Sequence, residues 1–309
     1  MTHHLRPDGV TADQDALRAR LAPPAPTVEA PVLVLDPAAV DDPGHPHTGV
    51  LLGALLRAAL GVLEQDAPVT SVSATLHRIP ALADVTAGAA EPVVVVAAAM
   101  DRTTAEARST QPARGHGAPV AELTVEAAGH AEVMRAGDLL DLARRVDPDT
   151  PELDVAGLHG PCVVCGWQAD VGLGLAPRDA GPDAAALLWI PPDATSGGDR
   201  DARRRRIPGS RRSEPETLVG VWALLAVLPC AARWAARGAL GTSTISSCTG
   251  VHAQVLSRPE AYTPLRVVAA LDEDAAAGPG ADVRTRVAVV DDEDVVHVVA
   301  TVTHAHGSR

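Results

Sequence analysis

Asp42, His45 and His47 lie close together, with Thr48 and Gly49 directly after them. Histidine changes charge near neutral pH, and a carboxylate beside it can orient or accept a proton. Placed before a helix, these groups would stand where the helix dipole favours a developing negative charge. A solvated turn built on Pro43, Gly44 and Pro46 accounts for the same residues without any chemistry. A second group is the hydroxyl run Thr242, Ser243, Thr244, Ser246, Ser247, Cys248 and Thr249. Strand alternation puts Thr242, Thr244, Ser246 and Cys248 on one face. Thr244 and Ser246 on that face could bind a carbonyl or a water, or the face could simply be the polar outside of a strand.

Two further groups bear charge or sulfur. Arg200, Arg203–Arg206, Arg211 and Arg212 form the one strongly basic stretch. Arg205 and Arg206 at its centre suit bidentate phosphate binding, and an exposed loop explains them equally. Cys162 and Cys165, with His159 upstream, have metal or redox spacing. A zinc site wants four ligands and no second Cys pair is present. A redox pair wants a helix start, whereas Gly-rich, strand-like sequence follows here. The reading is a structural turn, with no metal and no cofactor.

These residues sit around two apolar helix candidates, Gly49–Leu63 and Leu218–Ala236. Thr48 is the expected N-cap of the first; Ser213 and Glu216 read as a capping box before the second, with Glu214 in its acidic first turn, although Glu214 and Glu216 could serve as general bases if they pointed into a cleft. Each helix leads a run of strand-like segments. After the first come Val69–Ile79, Pro92–Met100, Val120–Ala127 and His130–Arg135, the last two joined at Ala128-Gly129, with an irregular or poorly ordered strand pair expected over 102–118. After the second come Thr242–Leu256, Leu265–Leu271, Val283–Val290 and Val295–Thr303. Further strands are expected at Val32–Leu35 and Ala184–Ile190, and a linker helix at Ala136–Val146. The arrangement predicts a duplicated α+β unit rather than one alternating α/β fold. The boundaries are a lead-in over 1–30, a first unit over 31–147 and a second over 152–309, divided at Asp147-Pro148-Asp149-Thr150-Pro151.

Composition limits the function. A formal charge of −13 argues against a general nucleic-acid binder. With no Phe and few aromatics, the core must be filled by Ala, Val and Leu, anchored by four Trp. The N-terminus lacks the apolar stretch of a signal peptide, and four Cys make no disulfide scaffold, so a cytoplasmic protein is expected. Leu218–Ala236 is long enough to span a bilayer, but Pro229 and Arg233 within it favour a buried core helix.

His47-Thr48-Gly49-Val50-Leu51-Leu52-Gly53-Ala54-Leu55-Leu56-Arg57-Ala58-Ala59 resembles the opening of the hotdog helix in thioesterases with two fused domains. Cys162-x-x-Cys165-Gly166 followed by Gly172-Leu173-Gly174-Leu175 is similar to a motif of thioesterase-superfamily hotdog proteins. The resemblance spans most of residues 30–304. It implies two hotdog-like α+β domains, each an antiparallel sheet wrapped around a long apolar helix, and possible pairing into a homodimer. It also implies an acyl-CoA or acyl-carrier thioester held where two units meet. Backbone N–H groups at the helix starts, Gly49 and near Thr217, would polarise the carbonyl. His45, His47, Thr244 or Ser246 would activate water, with Asp42, Arg205 and Arg206 binding the ligand. Such enzymes usually carry a helix carboxylate; here the second helix reads Ala226-Val227-Leu228-Pro229, and the first has no acid before Glu64. The alternatives are a hotdog hydratase or dehydratase using Asp42 and His47 on enoyl thioesters, and a non-catalytic acyl-binding protein.

Overall fold

In a computed structural model of the chain, residues 32–33, 40–42, 45–46, 48–63, 68–77, 93–100, 103–111, 118–127, 136–146, 149–150, 164, 173, 175–181, 183–191, 218–240, 245–272 and 282–306 are described. After the short strand β1 (Val32–Leu33), a hairpin of β2 (Val40–Asp42) and β3 (His45–Pro46) leads into helix α1 (Thr48–Val62). Strands β4 (Val69–Leu76), β5 (Val93–Ala99), β6 (Thr104–Gln111) and β7 (Ala118–Ala127) follow. Helix α2 (Gly137–Arg145) precedes β8 (Ala176–Asp179), β9 (Ala184–Trp189) and the long helix α3 (Val221–Leu240). The chain then runs through β10 (Ile245–Val255), β11 (Leu265–Leu271), β12 (Asp282–Asp291) and β13 (Val296–His306).

Eleven of these strands form one antiparallel sheet in the order β1-β5-β6-β7-β4-β10-β13-β12-β11-β9-β8. Its centre is the β4–β10 pairing, which runs from Gly250 opposite Thr75 to Gln254 opposite Ser71. Outward from this seam the order is β4, β7, β6, β5 on one side and β10, β13, β12, β11 on the other. In each direction the first strand after the helix is followed by the fourth, third and second. The same strand order occurs twice, as the two apolar helices predict.

The helices lie against this sheet because a wide apolar surface needs cover. Helix α1 contacts β5, β6 and β7, while α3 contacts β9 to β13, and the two helices touch each other. A Cβ added at Gly53 of α1 would lie 3.5 Å from Trp222 Cβ of α3, at ordinary van der Waals contact, so the helices meet there with room for a methyl group and little more. Leu52, Leu55, Leu224, Leu225 and Leu228 are all fully buried in the same core as Val251, Val287 and Val302. Helix α2 covers the other face of the sheet, with Leu139, Leu142 and Ala143 against Val268, Ala288 and Val290. Covered on both faces, β12 is buried from Val287 to Asp291 instead of alternating as a half-exposed antiparallel strand would.

Most expected elements lie within a few residues of the observed ones. Thr48 is the first residue of α1 rather than a cap ahead of it, and α3 begins at Val221, later than the apolar run suggests. Leu218 is instead held in an isolated bridge to Glu260. The stretch over 102–118 contains a regular strand, β6, paired on both edges. Its inward residues, Ala105, Ala107 and Ser109, are small, so the strand lacks a strong hydropathy signal. Ser109 Oγ accepts from Ala121 N–H and donates to the Ala121 carbonyl, bracing the register shift beside it. The strand β8 was not anticipated. The proposed hairpin to His130–Arg135, the Ser213–Glu216 capping box, and Cys162 and Cys165 lie outside the described residues.

Candidate functional site

The residues nearest the start of α1 are brought together by the β2–β3 hairpin. Asp42 and His45 are backbone partners across it, and Thr48 opens the helix two residues after Pro46. Thr48 and Gly49 are both buried, so the positive end of α1 sits inside the molecule. Thr48 Oγ1 is buried without a hydrogen-bond partner among the described residues. His47, Thr217, Thr244, Arg205 and Arg206 lie outside the described residues. Ser246 is within β10, its side chain outside those described. Cys248, on the face expected to carry Thr244 and Ser246, is buried in the core.

Helices α1 and α3 contain no Asp or Glu; their charged residues are Arg57, Arg233 and Arg237. The two arginines of α3 stand one turn apart and face His304 of β13. His304 pairs across the sheet with Cys248 on one side and Val283 on the other. Its imidazole is wholly buried and its Nδ1 has no hydrogen-bond partner among the described residues. Burial, reinforced by the Arg233 and Arg237 charges, pushes its pKa down to about 3, so the ring is neutral at ordinary pH.

A second polar group occupies the opposite end of β13, and the sequence reading missed it. Ser257 Oγ lies 2.7 Å from His297 Nδ1, and His297 Nε2 lies 3.1 Å from Asp291 Oδ2. The Asp291 carboxylate also accepts the N–H groups of Glu293 and Val295 on its Oδ1, closing the β12–β13 turn. A carboxylate only accepts hydrogen bonds, so Nε2 carries the proton and Nδ1 is left to accept the Ser257 hydroxyl. Leu256 and Ser257 both donate their N–H to the His297 carbonyl, which fixes Ser257 beside the ring. His297 and Asp291 are buried, while Ser257 is exposed. Asp291-Asp292-Glu293-Asp294 reads as a plain acidic turn. The signal for this group was the hairpin register, which brings Asp291 and His297 together across the turn.

Ser257 is also tied to the approach of α3. The next residue, Arg258, donates through Nε to the Val219 carbonyl and through Nη2 to that of Leu218. Val219 N–H donates to the Pro259 carbonyl. Three hydrogen bonds thus anchor the residues immediately before α3 to the end of β10. Among the described residues, no group of three or more His, Cys, Asp or Glu is arranged to hold a metal ion, and no helix is long and apolar enough to cross a membrane.

No protein-family model matches the sequence, and no curated protein matches it. Solved structures match the fold over nearly the whole chain. One is a protein of unknown function with a hot dog fold from Alicyclobacillus acidocaldarius, at 14% identity and TM-score 0.57, covering 95% of this chain and 98% of its own. Another is the tesB protein of Mycobacterium avium subspecies paratuberculosis, at 12% identity and TM-score 0.57, covering 96% and 100%. A third is a structure described as a thioesterase II from Thermobifida fusca, at 14% identity and TM-score 0.54, covering 96% and 99%. At these identities the likeness is one of fold, and it says nothing by itself about chemistry. The repeated strand order, the paired apolar helices and the near-complete mutual coverage together give this chain the hotdog fold, of the double-hotdog type.

Proposed function

We propose that the protein is thioesterase-like and binds an acyl-CoA or acyl-carrier thioester where its two hotdog-like domains meet, each domain a sheet wrapped around its helix. The observation that carries this reading is the repeated strand order with α1 lying against α3. The apolar side chains that the two helices bring together beside the buried start of α1 suit an acyl chain with a polar head. Backbone N–H groups at Gly49 and Thr217 would polarise the thioester carbonyl. Asp42, Arg205 and Arg206 would bind the carrier, and His45, His47, Thr244 or Ser246 would activate water. The buried start of α1, and a Thr48 hydroxyl without a partner among the described residues, are consistent with a polar ligand group placed there.

Hydrolysis in this reading uses no helix carboxylate, since neither α1 nor α3 contains one. The same feature favours binding without turnover as the second reading. Pairing of Asp42 with His45 across the β2–β3 hairpin favours a third, hydration of an enoyl thioester with Asp42 and His47. One experiment separates the three: acyl-CoA and enoyl-CoA of graded chain length are assayed for thiol release, for loss of the enoyl absorbance, and for equilibrium binding. Thiol release supports the thioesterase, hydration without thiol release supports the hydratase, and binding alone supports a carrier. No binding at any chain length removes the proposal.

A further inference from the structure

Ser257, His297 and Asp291 form a continuous hydrogen-bonded chain from an exposed hydroxyl to a buried carboxylate. This order of groups activates serine in acyl transfer, and it is recognised by geometry rather than by sequence position or fold. Here the ring nitrogens are exchanged relative to the serine proteases: Nδ1 faces the serine and Nε2 the acid. The exchange leaves the logic intact, because the carboxylate still fixes the tautomer that presents a basic nitrogen to the hydroxyl. Each member is held by independent contacts. Asp291 is fixed by two turn N–H groups, its own carbonyl accepts from Arg266, and the His297 carbonyl holds Ser257. Only Ser257 opens to solvent, as a nucleophile must.

We infer that Ser257 is a catalytic nucleophile for small activated esters or thioesters, with His297 as its general base and Asp291 as the positioning acid. Ser257 Oγ attacks the carbonyl carbon while its proton passes to His297 Nδ1, and Asp291 faces the imidazolium that results. The bond from carbon to the leaving oxygen or sulfur breaks, and the leaving group takes the proton from Nδ1. A water molecule then repeats the sequence on the acyl-serine, releasing the free acid and restoring Ser257 and neutral His297. No oxidant or cofactor enters the balance. This site is built from the ends of β10, β12 and β13 and shares no residue with the thioester site proposed above.

A fluorophosphonate probe, which phosphorylates activated serines with loss of fluoride, tests the assignment on the full chain. Intact mass and peptide mapping should show one adduct, on Ser257. Ser257→Ala should remove it, and His297→Gln should slow labelling by about 100-fold or more. Asp291→Asn keeps an oxygen for the two turn N–H groups but no longer accepts from Nε2, so it should also slow labelling while circular dichroism stays native. Hydrolysis of p-nitrophenyl acetate should fall in parallel. Absence of an adduct on Ser257 in the wild type, or labelling unchanged by His297→Gln, would overturn the inference and leave the trio as a brace for the hairpin. The probe contains no coenzyme A, so its outcome is independent of thioester binding.

Discussion

Lowering the pH should destabilise the protein through His304, by an amount that follows from its burial. The ring is wholly enclosed, and Arg233 and Arg237 of α3 face it, so protonation in the folded state is opposed first by desolvation and then by two positive charges. Its pKa falls from 6.5 to about 3 on folding. The unfolded chain therefore binds the proton first as pH drops. The stabilisation is complete above about pH 6.5, declines below it, and is gone once pH passes below about 3. Between those limits the slope is about 1.4 kcal/mol per pH unit, which gives a loss of about 2 kcal/mol from pH 7 to pH 5. His304→Leu removes the titrating group and keeps an apolar side chain of comparable bulk. Denaturant unfolding of both proteins at the two pH values cancels the titration of every other group. The wild type should lose about 2 kcal/mol more than the variant between pH 7 and pH 5. Equal losses in the two proteins would refute a buried neutral His304.

Three substitutions probe the packing of the helices and the β12–β13 turn. Gly53→Ala places its methyl at ordinary contact distance from Trp222, so the helix-propensity gain of up to about 1 kcal/mol should appear as a raised Tm. Gly53→Leu should force α1 from α3 and cost about 1–3 kcal/mol in the same assay. Arg266 donates to the Ala143 carbonyl at the end of α2 and to Asp291 and Asp294 in the β12–β13 turn. Arg266→Ala should cost about 2 kcal/mol and speed amide exchange in α2 and that turn, because both lose the group that ties them together.

The architecture was legible in the sequence because its largest signals are physical ones. An apolar run such as Gly49–Leu63 or Leu218–Ala236 has few places to go except under a sheet, and Leu265–Leu271 matches its strand at both ends. Strand β6 is more regular than the strand pair expected over 102–118, because Ala105 and Ala107 pack inward without a hydropathy signal that marks them. The start of α3 was placed too early because Leu218 and Val219 are apolar for a different reason, being tied to Pro259, Arg258 and Glu260. The polar groups were the least legible. His304, Arg233 and Arg237 meet only when β13 lies under α3, and Ser257 meets His297 only through the β10–β13 register. Residues joined by sheet pairing across 40 positions leave no local pattern to read.

The thioester site proposed where the two hotdog-like domains meet is open to a direct test by calorimetric titration. The ligands are acyl-CoA analogues in which a thioether replaces the thioester, so that binding is measured apart from any turnover. Saturable binding is expected for at least one chain length, with a negative heat-capacity change from burial of the acyl chain. Absence of binding across the series from short to long chains would contradict it.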